Sequence, residues 1–204
     1  MKGNRPLSNE EVNQCIESFK GKYSLRNKTL FIVGINTGFR VSELLSLKVN
    51  DVQPFTKITD YLIVKRANMK GNYCGRTVML NEMSKEYLEQ YLNNFKKMYG
   101  VLPDKNFYLF KSQKTSNKAI SRRQATKVLK DVYHDNELTG TLATHAMRKT
   151  FAKNVNELLD KDITKTQLAL GHKNVSSTQR YLSFDINEVN QAIKKLEYKE
   201  TEKK

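Results

Sequence analysis

Apolar positions recur at helical spacing along most of this chain. Ser8 and Glu11 stand three apart, as in a capping box, and Val12, Cys15, Ile16 and Phe19 then predict a first helix that ends near Gly21. From Leu25 to Thr37 the chain is apolar almost throughout, which reads as a buried helix closed by Gly38. In "RVSELLSLKVNDV", Ser42 is expected to cap a short helix that buries Leu44, Leu45 and Leu47. The period then changes: "YLIVKR" and "RTVML" are β-branched and aromatic runs on either side of the polar "ANMKGNYCG", the pattern of a β-hairpin.

Past Asn81 the helical period returns, with Met83, Tyr87, Leu88, Tyr91, Leu92 and Phe95 on one face as far as Gly100. "NFYLF" suits a short extended piece before the loop "KSQKTSNKA". Ser121 opens a helix with Ala125, Val128, Leu129 and Val132 inside, and Thr144 to Leu159 forms another around Met147, Phe151, Val155 and Leu158. "ITKTQLALGH" is shorter and closes at Gly171. Ser176 or Ser177 is placed to cap the turn that carries Tyr181, and Val189, Ile193 and Leu196 make a narrow stripe on a terminal amphipathic helix whose lysine-rich end should fray. The expected fold class is mostly α with a small antiparallel β-sheet (α+β).

The length of 204 residues suits one main domain with a short appendage at each end. No run approaches the roughly 18 apolar residues of a membrane span, and the N-terminus lacks the apolar core of a secretory signal. Cys15 and Cys74 lie far apart without metal-ligand spacing, so both read as reduced thiols of a cytosolic protein. Charge changes the picture more: 36 Lys+Arg stand against 21 Asp+Glu, a formal +15 that attracts polyanions, nucleic acid first among them.

Four stretches combine unusual polar residues with helix signals: "TGFRVSELL", "MKGNYCGR", "THAMRKTF" and "LGHKNVSSTQRY". On a helix His145 and Arg148, three apart, project toward a common point that can hold an anion. Arg40 stands at a helix-to-helix junction. Planar guanidiniums donate paired hydrogen bonds to the non-bridging oxygens of a phosphodiester, a fit that a lysine point charge does not give. Arg122, Arg123 and Lys127, at the start of the helix after Ser121, form either a DNA-phosphate contact or a solvated face. His134 has no such company and reads as a surface residue.

Taken in order, "TGFRVSELLSLKVNDV", "THAMRKTFAKNV" and "LGHKNVSSTQRYLS" resemble the signature blocks of the tyrosine recombinase (phage integrase) family, and with the hairpin they run from about Thr37 to Ser183. The short stand-alone members, such as recombinases that invert fimbrial promoter DNA, are the most similar in size. The resemblance implies a metal-free and ATP-free reaction with no cofactor. In it Tyr181 attacks a DNA phosphate to give a 3′-phosphotyrosyl link and a free 5′-hydroxyl, while Arg40 and Arg148 clamp the phosphate. A phenol ionises near pH 10, so a base is needed, and His145 is assigned to it. Lys70 at the hairpin tip is assigned as the acid that protonates the leaving 5′-oxygen, with Lys65 as its rival. His172 is expected on a phosphate oxygen, and Glu43 is expected to orient the region through His145 or a neighbouring backbone group. Lys149, where many relatives carry a histidine, is a departure at a supporting position.

These readings divide the chain into a catalytic domain, residues 1–183, and a C-terminal helix and basic tail, residues 184–204, that docks on a neighbouring protomer or folds back. The partners expected are double-stranded DNA and three further copies in a tetramer on paired sites, monomer or dimer without DNA, with no membrane and no small-molecule substrate. The location implied is the bacterial cytoplasm, with the nucleoid. Only about forty residues precede "TGFR", which leaves a naturally short recombinase or a catalytic fragment. Two competing classes remain: a type IB topoisomerase, and a non-catalytic DNA-binding protein on the same fold.

Overall fold

The computed structural model describes residues 4–64, 76–113, 117–172, 174–179, 181, 182 and 194. Helix α1 (Asn9–Ser18) begins at the expected capping box, with the Ser8 hydroxyl accepting from the Glu11 N–H and the Glu11 carboxylate accepting from the Ser8 N–H. Helix α2 (Ser24–Thr37) is central. Its residues from Thr29 to Ile35 are all buried, and it packs on α5 (Glu82–Asn93) and α8 (Thr144–Leu158), so apolar side chains are required around its whole circumference. Thr29 and Thr37 are tolerated inside because their hydroxyls donate to the carbonyls of Leu25 and Val33, one turn back. Gly38 ends α2 with φ 61°, and a Cβ there would overlap the Phe151 ring.

The remaining elements are α3 (Val41–Ser46), α4 (Val49–Val52), the antiparallel pair β1 (Tyr61–Val64) and β2 (Arg76–Met79), α6 (Phe95–Tyr99), α7 (Arg122–Asp135), α9 (Ile163–Leu170) and α10 (Val175–Gln179). One core runs from Leu7 to Met147 through Phe31, Phe39, Leu44, Leu88, Phe110 and Leu129. A second, smaller cluster of Phe151, Ala152, Leu170 and Leu182 gathers α8, α9 and the segment after α10, with Tyr181 packed against it. The mostly helical class with a small antiparallel sheet holds.

Several local expectations are corrected. Ser42 lies inside α3, whose N-cap is Arg40; the Glu43 carboxylate accepts from the Arg40 N–H and so does the work expected of a serine hydroxyl. The helix expected up to Gly100 breaks at Asn94, which ends α5 and starts α6, and Met83 is exposed. Leu158 is exposed on the last turn of α8, and Ser176 and Ser177 lie within α10. The hairpin tip with Lys65 and Lys70, Cys74, and the stripe Val189, Ile193 and Leu196 lie outside the described residues.

Candidate active site

Helix capping and helix ends, more than loops, place the polar side chains. Arg40 sits at the N-terminus of α3, half-buried, with Nη1 on the Glu43 Oε1 at 2.8 Å. Glu43 itself is buried, and its second oxygen holds the Arg40 N–H at 2.7 Å. One carboxylate therefore fixes both the side chain and the main chain of Arg40. On the first turns of α8, His145 is exposed and Arg148 is almost wholly buried. Phe39, Arg40, Val41, Ser42, Arg122, Thr144, His145 and Arg148 line a cleft of about 280 Å³. Arg122 of α7 therefore shares a cavity with Arg40 and Arg148. Arg123 and Lys127 lie on an adjoining open groove, Lys127 in an exposed ion pair with Asp131 at 2.8 Å.

Arg148 is held from behind: Nη2 donates to the Leu170 carbonyl at 2.7 Å and Nη1 to the Gly38 carbonyl. Among the described residues its Nε–H has no hydrogen-bond partner. Gly171, with φ 62°, turns the chain out of α9 and delivers His172, whose Nδ1 is 3.0 Å from the hydroxyl of the fully buried Thr178. The Thr178 carbonyl in turn accepts the N–H groups of Tyr181 and Leu182. Tyr181 comes to rest with its ring 5.1 Å from the His172 ring, the Arg148 guanidinium over its face at 5.6 Å, and its hydroxyl 3.4 Å from His145 Nδ1. Arg40, His145, Arg148, His172 and Tyr181 thus come from three separate stretches of sequence to one place. His134 is exposed at the end of α7, 3.9 Å from the Asp135 carboxylate.

Sequence reasoning missed two side chains of this region. Thr178 ties His172 to the turn that carries Tyr181, and no sequence pattern marked it. Arg76, on β2, is buried and donates to the carbonyls of Leu170 and Thr37. Its signal was available: strand alternation puts Arg76 on the inward face with Val78, while Thr77 and Met79 are less enclosed.

Positive charge so concentrated drives protons off the imidazoles. Burial first, then Arg122, Arg148 and Arg40, hold His145 below the ordinary histidine range. Burial, then Arg148, Arg40 and Arg76, pull His172 down from 6.5 to about 3. Both rings are therefore neutral near neutral pH. Between the unfolded and folded values the unfolded chain binds protons that the folded chain refuses, so stability is full above about pH 6.5 and falls as the pH drops toward about 3. Thermal melts at stepwise lower pH should show a falling Tm, and His172→Gln should flatten that acid limb; an identical limb in the variant would contradict the assignment.

The chain matches the model of the Phage integrase family over residues 5–188. It is 32% identical over 190 residues to the probable integrase/recombinase YoeC of Bacillus subtilis (strain 168), covering 93% of this chain and 95% of that protein. It is 30% identical over 177 residues to the tyrosine recombinase XerD of Oceanobacillus iheyensis, where it spans 86% of this chain and 56% of the relative. Among solved structures, the XerH site-specific recombinase bound to palindromic difH substrate, a post-cleavage complex, superimposes with a TM-score of 0.74 at 27% identity, over 95% of this chain and 54% of that one. The XerA recombinase, at 24% identity and a TM-score of 0.72 over 95% of this chain and 66% of that one, shares the fold. The chain spans little more than half the length of the Xer relatives it matches. With the family model covering nearly its whole length and its helices laid out as in those structures, the chain belongs to the phage integrase family, the tyrosine recombinases.

Proposed function

We propose that the chain cuts and rejoins double-stranded DNA at specific sites, with Tyr181 as the nucleophile. The observation that carries this reading is the Tyr181 hydroxyl at 3.4 Å from His145 Nδ1, beside a cleft lined by Arg40 and Arg148. His145, kept neutral by partial burial and by its cationic neighbours, takes the phenolic proton as the Tyr181 oxygen bonds to phosphorus. Arg40 and Arg148 balance the charge that gathers on the non-bridging oxygens. A Thr178 hydroxyl that donates to His172 Nδ1 leaves the ring proton on Nε2, where it can meet a phosphate oxygen. The phosphorus–oxygen bond to the 5′-carbon breaks, and Lys70 supplies the proton to that oxygen. Reversal by a 5′-hydroxyl of another strand reseals the backbone without ATP or metal.

Arg122, Arg123 and Lys127 extend the cationic surface outward from the cleft, where DNA phosphates on either side of the scissile one would lie. Residues 1–183 are the catalytic unit, and residues 184–204 dock on a neighbouring protomer in a tetramer assembled on two duplexes. The bacterial relatives support a place beside the nucleoid in the cytoplasm, and among the described residues no helix is long and apolar enough to cross a membrane.

The test uses duplexes with random flanks around one 5′-bridging phosphorothiolate, whose sulfur leaving group returns poorly to phosphorus. Wild-type protein should accumulate covalent adducts enriched in one recognition sequence, and should exchange strands between two plasmids that carry it. Absence of adducts overturns the catalytic reading. Adducts without sequence preference, together with relaxation of supercoiled plasmid lacking the enriched site, replace it with a topoisomerase.

A further inference from the structure

Arg148 is held by two helix ends, and it does not stand alone there. Arg76 Nη1 donates to the same Leu170 carbonyl at 2.6 Å, and Nη2 donates to the carbonyl of Thr37, next in the chain to the Gly38 that Arg148 uses. Two guanidiniums therefore bridge the same pair of helix C-termini, those of α2 and α9, where carbonyls lack intrahelical partners and the helix dipoles are negative. One end leads directly to Arg40 and the other to Gly171 and His172. The surroundings are shaped to admit the second arginine: Arg76 lies over the Phe39 ring at 5.1 Å, and a Cβ at residue 171 would come within 2.7 Å of Arg76 Cδ. Burying a second cation beside Arg148 is costly, and burial and Arg148 together push the Arg76 guanidinium down to about 9. A well-packed apolar residue would avoid that cost if the position served packing alone.

We propose that Arg76 is a positioning residue for the strand-cutting reaction: by holding Leu170 and Thr37 it fixes Arg148 and His172 in the geometry that receives the phosphate. Arg76 touches no reacting atom; it acts through the carbonyl it shares with Arg148. It also stands at the first position of β2, across from Val64, so the same bond fastens the base of the hairpin to the phosphate clamp. This inference rests on the recombinase reading.

The experiment measures single-turnover adduct formation on the phosphorothiolate duplex, where no proton need reach the leaving group and the hairpin acid drops out of the rate. Arg76→Met should slow cleavage about 10- to 100-fold, as sub-ångström misplacement does, while DNA affinity stays within about twofold, since most binding comes from other phosphate contacts. Millimolar guanidinium ion should restore part of the rate. In an Arg148→Lys background the same change should cost little more, because both act through the Leu170 carbonyl and the same two helix ends. Wild-type rate in Arg76→Met, or equal slowing in both backgrounds with no guanidinium rescue, overturns the proposal. Arg76→Lys, which keeps the charge but cannot bridge both carbonyls, serves if the methionine variant does not fold, with the same outcomes. Should wild-type protein form no adduct, the recombinase reading itself fails. The positioning claim is then read from the His172 imidazole by NMR: Arg76→Met should raise its titration midpoint and move its resonances, and unchanged resonances would sink the claim.

Discussion

Tyr181→Phe should abolish covalent capture of DNA, lowering adduct formation by about 10⁴-fold or more, as loss of a nucleophile does in enzymes that pass through a covalent intermediate. The change removes one oxygen. The ring keeps its place against Phe151, Leu170 and Leu182 and its contact with the Arg148 guanidinium, so folding and DNA binding should be intact. The lost hydroxyl makes a long contact with His145 on the exposed side of the ring and also interacts with the Arg148 guanidinium, which keeps its bonds to the Leu170 and Gly38 carbonyls. A melting temperature and a DNA affinity equal to wild type, combined with no adduct, would place the nucleophile at residue 181. Undiminished adducts in the variant would show that another hydroxyl attacks.

How much of this was written in the sequence depends on how local its cause is. The order of helices and the hairpin were legible because period, capping residues and glycines act over a few positions: Ser8 with Glu11, Gly38 after α2, Ser121 before α7 and Gly171 after α9 each behave as their chemistry dictates. The failures were competitions between equally local signals. Ser42 is an adequate cap, yet Glu43 reaches back to Arg40 and moves the helix start two residues upstream of it. Met83 and Leu158 fit a helical stripe, but the stripe is wider than the surface available to bury it, and both are left outside.

The site was legible in its chemistry and opaque in its supports. Arg40, His145, Arg148, His172 and Tyr181 could be named because the stretches that hold them resemble the signature blocks of the family. What holds them could not. Thr178 is one threonine among many until His172 folds back on it, and the Leu170 and Gly38 carbonyls are backbone atoms that no residue type announces. Thr178 is fully buried and Leu182 nearly so, and they anchor the phenol on both sides. Such bonds between residues far apart in sequence follow from the tertiary arrangement.

Arg148→Lys should lower adduct formation by about 10²–10³-fold, the range seen when one preorganised donor is removed from a site of developing negative charge. The ammonium keeps the charge, so DNA binding at low salt should fall much less than cleavage. What it loses is simultaneity. The guanidinium satisfies the carbonyls of Gly38 and Leu170 and still offers Nε–H and further hydrogens toward a phosphate, in one rigid plane. Lysine has a single nitrogen at the end of a flexible stem: if it serves the carbonyls it is withdrawn from the phosphate, and if it serves the phosphate a buried helix-end carbonyl is left bare, at about 1–3 kcal/mol. Arg148→Met separates the two duties. It should cost as much in cleavage and more in Tm than lysine does, since neither carbonyl is then satisfied by the side chain, whereas Arg40→Lys, at a half-buried position bonded to Glu43, should lower cleavage with little change in melting. Cleavage by Arg148→Lys at nearly the wild-type rate would mean that the charge alone suffices and that the bridging geometry behind it has no part in the reaction.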